Sequence, residues 1–154
     1  MLGEIIGDIV GSAYEFNLTN DYNFEMFAEG SSFTDDTICT IAIADALLRD
    51  RDYGESLHDW GRRYMKPKGG FGGRFRKWVE SDAPKPYGSY GNGSDMRVSP
   101  IAWAHLNLGG AIHEAKKTAE CTHNHPEGVK GAQATVAAIH YGDELRRLSE
   151  KIDK

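Results

Sequence analysis

The amino-acid sequence predicts a single all-α domain, and three observations carry this prediction. The chain has 154 residues, which is enough for one domain with a hydrophobic core and too few for two. Apolar residues recur at helical spacing, most clearly in the run from Ile38 to Leu48. Segments rich in turn-forming residues separate the periodic segments, as at Pro67 and at Ala83–Tyr87. We therefore expect one helical domain over residues 1–154.

The first predicted helix covers Met1–Phe16 and carries glycine at every fourth position, at Gly3, Gly7 and Gly11. Glycine lowers helix stability by roughly 1 kcal/mol relative to alanine, so this alignment needs a compensating reason. A glycine face is typical of a place where another backbone or a ligand comes close, and tight helix packing explains it equally well. Glu15, at the far end of this segment, is either a site residue or a surface charge.

The second predicted helix begins after the irregular loop Asn17–Ser32 and ends near Arg49–Arg51. A loop of this length in a compact domain is commonly functional or mobile. Further helices are predicted at Glu55–Met65, after the glycines of the segment Lys68–Trp78, from Ser99 and Pro100, at Gly110–Glu120, and from Pro126 towards the C-terminus.

The start of the second helix gathers oxygen-bearing side chains in the sequence Phe33-Thr34-Asp35-Asp36-Thr37. Threonine and aspartate are favoured N-caps, and acidic side chains are stabilised near a helix N-terminus, which explains one or two of these residues. Carboxylate and hydroxyl oxygens are also the ligands that Mg²⁺, Mn²⁺ and Ca²⁺ prefer. A capped helix and a divalent-metal site are therefore both open interpretations of this cluster.

Two glycine-rich segments are candidate phosphate sites. Lys68–Trp78 lacks the spacing of a phosphate-binding loop, and its basic and aromatic residues are typical of an amphipathic helix with a solvated face. Gly91-Asn92-Gly93-Ser94-Asp95 could present several backbone N–H groups to an anion just before a helix. An ordinary turn followed by a helix cap explains this second segment equally simply.

The net charge and the sequence patterns disfavour several classes of partner and site. The formal net charge of −5 disfavours a general nucleic-acid or anionic-membrane partner. We expect a cytoplasmic protein, because the sequence shows no signal peptide and no apolar run long enough to span a membrane. Cys39 and Cys121 are predicted to be reduced, packed thiols. Cys121, His123 and His125 do not have zinc-finger spacing and lack an evident fourth ligand.

Four motifs together resemble the ADP-ribosylglycohydrolase family, which includes the enzyme that removes ADP-ribose from dinitrogenase reductase. They occur in the family's order across nearly the whole chain: GDIVGSAYE at residues 7–15, FTDDT at 33–37, GNGSDMR at 91–97 and THNHPEG at 122–128. The resemblance implies an ADP-ribosylglycohydrolase-like helical bundle. It also implies binding of an ADP-ribose group and hydrolysis of its glycosidic bond at a magnesium centre.

The resemblance assigns roles to residues of this sequence. Thr34, Asp35 and Asp36 would be Mg²⁺ ligands, and Asp35 and Asp36 would thereby be catalytic. Glu15 would face the distal ribose as a gating or acid–base residue. The residues expected beside the ligand are Gly93, Ser94 and Met96 at its phosphates, and His123 at its ribose or adenine.

Two departures from the family pattern shape the functional expectation. Family members carry a second Asp-rich motif of the form Gly-Gly-Asp-Thr-Asp-Thr, and nothing after Lys130 has this pattern, so the bundle is expected to be C-terminally truncated with half of a magnesium site. Asp95 replaces a small residue and is expected to bring negative charge near a phosphate, which costs about 1 kcal/mol or more at 4 Å. Both departures favour a degenerate relative that binds a protein or an ADP-ribose-like ligand. Such a relative would be an inhibitor or regulator of the kind that mobile elements encode.

An active Mg²⁺-dependent ADP-ribosyl hydrolase is the alternative, supported by Glu15 and by the intact segment Phe33–Thr37. Its substrate would be an ADP-ribosylated protein or small molecule. A shortened bundle should leave apolar helix faces uncovered, so we also expect a homodimer or a complex with another protein.

Overall fold

The computed structural model describes residues 1–152 and confirms the all-α class. This part of the chain contains helices and no strand. The helices are α1 Leu2–Gly11, α2 Asp35–Arg49, α3 Tyr53–Arg63, α4 Gly73–Glu80, α5 Ser99–Ala104, α6 Leu108–Glu120 and α7 Pro126–Ile152, and a short 3₁₀ turn covers Asn92–Ser94. The last two residues of the predicted domain lie outside the described residues.

The helix α2 lies at the centre of the domain, and its start and end follow from local chemistry. Thr34 caps its first turn by accepting a hydrogen bond from the backbone N–H of Asp36. Its last turn closes at Asp50, which adopts a left-handed conformation with φ of 52°. Between these ends the helix buries Ile38, Ala42 and Ile43, and it packs against α3 and α5.

The helices α6 and α7 pack closely because small residues line the contact between them. Ala111, Ala115 and Ala119 recur every four residues along one face of α6, and all three are fully buried. Ala132 and Val136 on α7 are equally buried in the same core. Methyl-sized side chains allow the two helix backbones to approach, and α6 and α7 pack against each other along their length.

The first helix differs from its prediction in length and in packing. It ends at Gly11 instead of Phe16: the N–H of Ser12 still donates to the Asp8 carbonyl, but the N–H of Tyr14 donates to the carbonyl of Gly11, three residues back, and the chain then enters turns. No residue of α1 is buried. A Cβ added at Gly3, Gly7 or Gly11 would meet no atom within 4 Å, so the glycine face borders open space and the expected tight helix contact is wrong.

Three smaller expectations concern membranes, metals and thiols. Among residues 1–152, no helix is both long enough and apolar enough to cross a membrane. Both cysteines are free thiols, as predicted. In the same residues no three His, Cys, Asp or Glu side chains are arranged to hold a metal ion.

Candidate active site in two joined clefts

Carboxylates from α1 and from the start of α2 line a cleft of about 510 Å³, which we call the acidic cleft. Its acidic residues are Glu4, Asp8, Glu15, Asp35 and Asp36. No lysine, arginine or histidine lines it within residues 1–152. The first 48 residues of the chain contain no basic side chain at all, so the negative charge of this cleft arises from the sequence itself.

Asp8 holds the two sides of the acidic cleft together, and the sequence motif did not reveal this role. Its carboxylate accepts hydrogen bonds from the backbone N–H groups of Thr34 and Thr37 at 2.9 and 3.3 Å. It also accepts from the hydroxyls of the same threonines at 2.6 and 2.5 Å. The charge of Asp8 therefore satisfies free donors at the N-terminus of α2 and ties α1 to that helix.

Asp35 and Asp36 are crowded by other negative charges. Burial, followed by the neighbouring charge of Asp36, raises the pKa of Asp35 to about 6. Burial also raises the pKa of Asp36, together with the charges of Asp8 and Glu15. A bound cation would relieve this repulsion, because an opposite charge within a few ångströms favours the ionised carboxylates.

Glu15 reaches the same cleft from the turn that follows α1. Its carboxylate lies against Gly69, where an added Cβ would come within 2.9 Å of Oε2. Gly69 also has a φ of +76°, a conformation that side chains rarely adopt. The structure therefore brings Glu15 together with Asp35 and Asp36, and the glycine of the facing loop makes room for it.

A second cleft of about 310 Å³, the ligand cleft, adjoins the first. The two clefts share Asp35, Asn92 and Met96, so one extended molecule could occupy both. Gly93 and His123 also line the ligand cleft, as predicted for ligand contacts. They lie against each other, since an added Cβ at Gly93 would be 3.1 Å from Nε2 of His123. The remaining lining residues include Arg74, Phe75, Tyr87 and Arg97.

Ser94 and Asp95 point away from the ligand cleft, which differs from the expectation for both side chains. The Ser94 hydroxyl is fully buried, 2.8 Å from the carbonyl oxygen of Gly128 and 3.0 Å from Oδ1 of Asp95. The Asp95 carboxylate lies against Gly131 of α7, where an added Cβ would overlap it. The charge of Asp95 therefore faces a neighbouring helix, and Ser94 is fully buried and does not line the ligand cleft.

Comparison of the sequence with known protein families identifies the family of this chain. The sequence profile of the ADP-ribosylglycohydrolase family matches residues 1–153. The chain belongs to the ADP-ribosylglycohydrolase family. Among curated relatives, it is 28% identical to the human ADP-ribosylhydrolase ARH3 over 97% of this chain and 50% of that protein. It is 27% identical to the Xenopus tropicalis protein of the same name over 92% of this chain and 48% of that protein.

The chicken ADP-ribosylhydrolase ARH3 is 31% identical over 73% of this chain and 35% of its own length. The chain thus spans about half the length of the curated relatives it matches. The family match confirms the resemblance carried by the four motifs.

Proposed function

We propose that this chain binds an ADP-ribosyl group across the two joined clefts and contributes to magnesium-dependent hydrolysis of its glycosidic bond. The observation that carries the proposal is that Asp35, Asn92 and Met96 line both the acidic cleft and the ligand cleft. The similarity to proteins named ADP-ribosylhydrolase supports the same class of substrate. Because the Asp95 carboxylate packs on Gly131, its charge is no argument against a phosphate in the ligand cleft.

Thr34, Asp35 and Asp36 fit a magnesium ion by the chemistry of their donors. All three offer oxygen atoms, and burial, followed by the charges of neighbouring carboxylates, raises the pKa of both aspartates, so a bound cation would favour their ionised form. The Thr34 hydroxyl donates to Asp8 and accepts from the Asp36 N–H, which leaves one oxygen lone pair for a metal. A bound Mg²⁺ would orient the ribose hydroxyls and polarise a water molecule.

Glu15 is the proposed base in this cleft. Its carboxylate would accept a proton from a water molecule whose oxygen bonds to the anomeric carbon of the distal ribose. The bond between that carbon and the acceptor atom breaks in the same reaction, and the acceptor leaves with the electron pair and takes a proton from solvent. The transition state resembles an oxocarbenium ion, which the negative charge of the acidic cleft would stabilise.

The ligand cleft would hold the nucleotide part of the substrate. Phe75 and Tyr87 offer aromatic faces to a base, and Arg74 brings positive charge to the same wall. Gly93 contributes backbone to the cleft without a side chain that would crowd the ligand or the His123 ring. These residues support binding of the ADP moiety, whereas the acidic cleft supports the chemistry at the ribose.

A second candidate function is binding without turnover, as in an inhibitor or regulator. One observation favours it: within residues 1–152, no three acidic, histidine or cysteine side chains are arranged to hold a metal ion. A metal bound by two carboxylates and one hydroxyl would be weakly held, and such a protein would retain the ligand cleft while lacking hydrolytic power. Binding and turnover must therefore be measured separately.

Calorimetric titration of ADP-ribose, with and without Mg²⁺, tests the proposal. We expect binding that Mg²⁺ strengthens in the unaltered chain, and loss of this strengthening in Asp35→Asn/Asp36→Asn. Asp82→Asn is the matched control, because Asp82 is an exposed aspartate that pairs with Arg62 outside both clefts. Absence of ADP-ribose binding under both conditions would contradict the proposal. Magnesium-dependent binding without release of ADP-ribose from ADP-ribosylated protein would favour the second candidate.

The predicted homodimer or protein complex stays a proposal. It is supported by apolar side chains of α1 that remain in solvent, such as Leu2 and Ile6, which are 73% and 49% exposed. Light scattering coupled to size-exclusion chromatography would test it, and a monomer at tens of micromolar would contradict the dimer.

A further inference from the structure

Arg97 is a fully buried arginine in the wall of the ligand cleft, only 1% exposed. One of its terminal nitrogens, Nη2, donates to the carbonyl oxygen of Thr118 at 2.9 Å and to the hydroxyl oxygen of Thr122 at 2.8 Å. Its Nε has no hydrogen-bond partner among the described residues. A buried guanidinium is costly to desolvate, so its placement beneath the cleft calls for a role beyond filling space.

The hydroxyl of Thr122 links Arg97 to His123. It is completely buried, and its oxygen lies 2.7 Å from Nδ1 of His123. A guanidinium has only donors, so the Thr122 oxygen must be the acceptor towards Arg97. The one proton of the hydroxyl is then free to point at Nδ1. In this arrangement Nδ1 is an acceptor, and the ring proton of a neutral His123 resides on Nε2.

The opposite tautomer satisfies the same three residues less well. If Nδ1 carried the proton, both Arg97 and His123 would donate to the Thr122 oxygen, and the Thr122 proton would need a third partner in a fully buried position. Tyr87 provides the hydroxyl next to Thr122. Burial raises the pKa of Tyr87, and contact with Thr122 lowers it to a smaller extent. The Tyr87 hydroxyl is therefore the competing acceptor, and a phenylalanine at this position removes it.

His123 remains neutral in this environment. Its burial, followed by the positive charges of Arg97 and Arg74, lowers its pKa to about 4. The Nε2 edge of the ring faces Gly93, where the absence of a side chain leaves it next to the backbone of the 3₁₀ turn and the ligand cleft.

We propose that Arg97 and Thr122 are positioning residues that hold His123 as the Nε2–H tautomer, so that the ligand cleft presents a neutral N–H donor to an acceptor oxygen of the ligand. The identity of that ligand as an ADP-ribosyl group rests on the proposed function. The tautomer is a property of the free protein and stands independently of it. The chain of donors runs in one direction, from the guanidinium through the hydroxyl to the imidazole and then to the ligand.

Nitrogen-15 NMR of the imidazole in the ligand-free protein tests the tautomer directly. We expect His123 in the unaltered chain and in Thr122→Ser to show an unprotonated Nδ1 and a protonated Nε2 at pH 7. Thr122→Val removes the hydroxyl and should give a mixture of the two tautomers. Tyr87→Phe should leave the Nε2–H form unchanged. A protonated Nδ1 in the unaltered chain, or in Tyr87→Phe, would overturn the proposal even if Thr122→Val failed to fold.

Titration of ADP-ribose into the same variants tests the consequence for binding. Loss of one oriented hydrogen bond should weaken binding of Thr122→Val by about threefold to tenfold, and Thr122→Ser should restore it. Equal affinity of Thr122→Val and the unaltered chain, together with mixed tautomers, would overturn the role in binding. If the unaltered chain binds no ADP-ribose, the proposed function fails, whereas an Nε2–H signal would still confirm the tautomer.

Discussion

The first 34 residues and the last three helices of this domain differ in how they are stabilised. The helix α1 buries no residue and is attached to α2 through the hydrogen bonds of Asp8. The helices α6 and α7, in contrast, meet through fully buried alanines such as Ala115 and Ala132. Of the carboxylates proposed for chemistry, Glu15 belongs to the polar region, and Asp35 and Asp36 follow it directly in the first turn of α2. The comparison shows that stability and candidate chemistry are supplied by different parts of one small fold.

We expect the two regions to differ most in the loss of folding stability when one side chain is truncated, and the largest loss in the core. Ile101→Ala removes a side chain that is fully buried in α5, and we expect the free energy of unfolding to fall by about 2–4 kcal/mol. Ile6→Ala is the matched change on α1, where the side chain is 49% exposed, and its effect should stay within about 0.5 kcal/mol. Urea unfolding monitored by circular dichroism measures both values. Similar losses in the two variants would break the comparison.

A smaller, pH-dependent effect on stability is expected at Glu4, whose carboxylate connects α1 to α5. Its carboxylate accepts hydrogen bonds from the hydroxyls of Ser99 and Thr40. Burial raises its pKa from 4.5 to about 7. The unfolded chain releases this proton near pH 4.5 and the folded chain near pH 7, so the stability of the native protein falls as pH rises through this interval and stays lower above it.

Glu4→Gln should remove this pH dependence, because glutamine resembles the protonated acid and does not ionise. Allowing for partial solvent screening, we expect a gain of about 1–2 kcal/mol relative to the unaltered chain at pH 8, and little difference at pH 4.5. Thermal unfolding without added metal, repeated across this pH range, measures the effect. A constant difference between the two proteins at all pH values would contradict the assignment to Glu4.

The smallest effect is expected on the glycine face of α1. Gly7→Ala places a methyl group where no atom lies within 4 Å, and it should stabilise the protein by about 0.5–1 kcal/mol through helix propensity. Gly131→Ala is the opposite case on α7, since its methyl group would overlap the Asp95 carboxylate and should destabilise the protein. If Gly7→Ala is stable but binds ADP-ribose more weakly, a ligand approaches α1 across this face.

The sequence predicted most helices because their signals are local. The helix α2 begins with the cap at Thr34 and carries apolar residues at helical spacing, and both signals lie within its own residues. The predicted end of α1 at Phe16 lies beyond the observed end at Gly11, after which the N–H of Tyr14 donates to the Gly11 carbonyl in a turn. Local periodicity does not show where such a turn replaces the helical hydrogen bonds.

Several motif residues line the two clefts, whereas residues distant in the sequence decide the direction of other side chains near the candidate site. The Asp8 carboxylate bonds to Thr34, 26 residues away, and no short pattern reveals such a pairing. Asp95 turns away from the ligand cleft because Gly131 leaves room for it on α7. The residues Glu15, Asp35 and His123 do line the predicted clefts, but their roles in binding and catalysis stay predictions.

The four hydrogen bonds that the Asp8 carboxylate accepts hold α1 against α2, so α1 acts as a latch on that helix. Since the same carboxylate fixes the helix and the first turn of α2, release of α1 and loss of the Asp35 and Asp36 geometry would be one event. Amide hydrogen exchange at Thr34 and Thr37 would therefore report how often the latch opens, because both amides donate to Asp8. A fluorophore attached at position 2, at the start of α1, would report the same opening optically. Ligands that close the acidic cleft would then change its fluorescence.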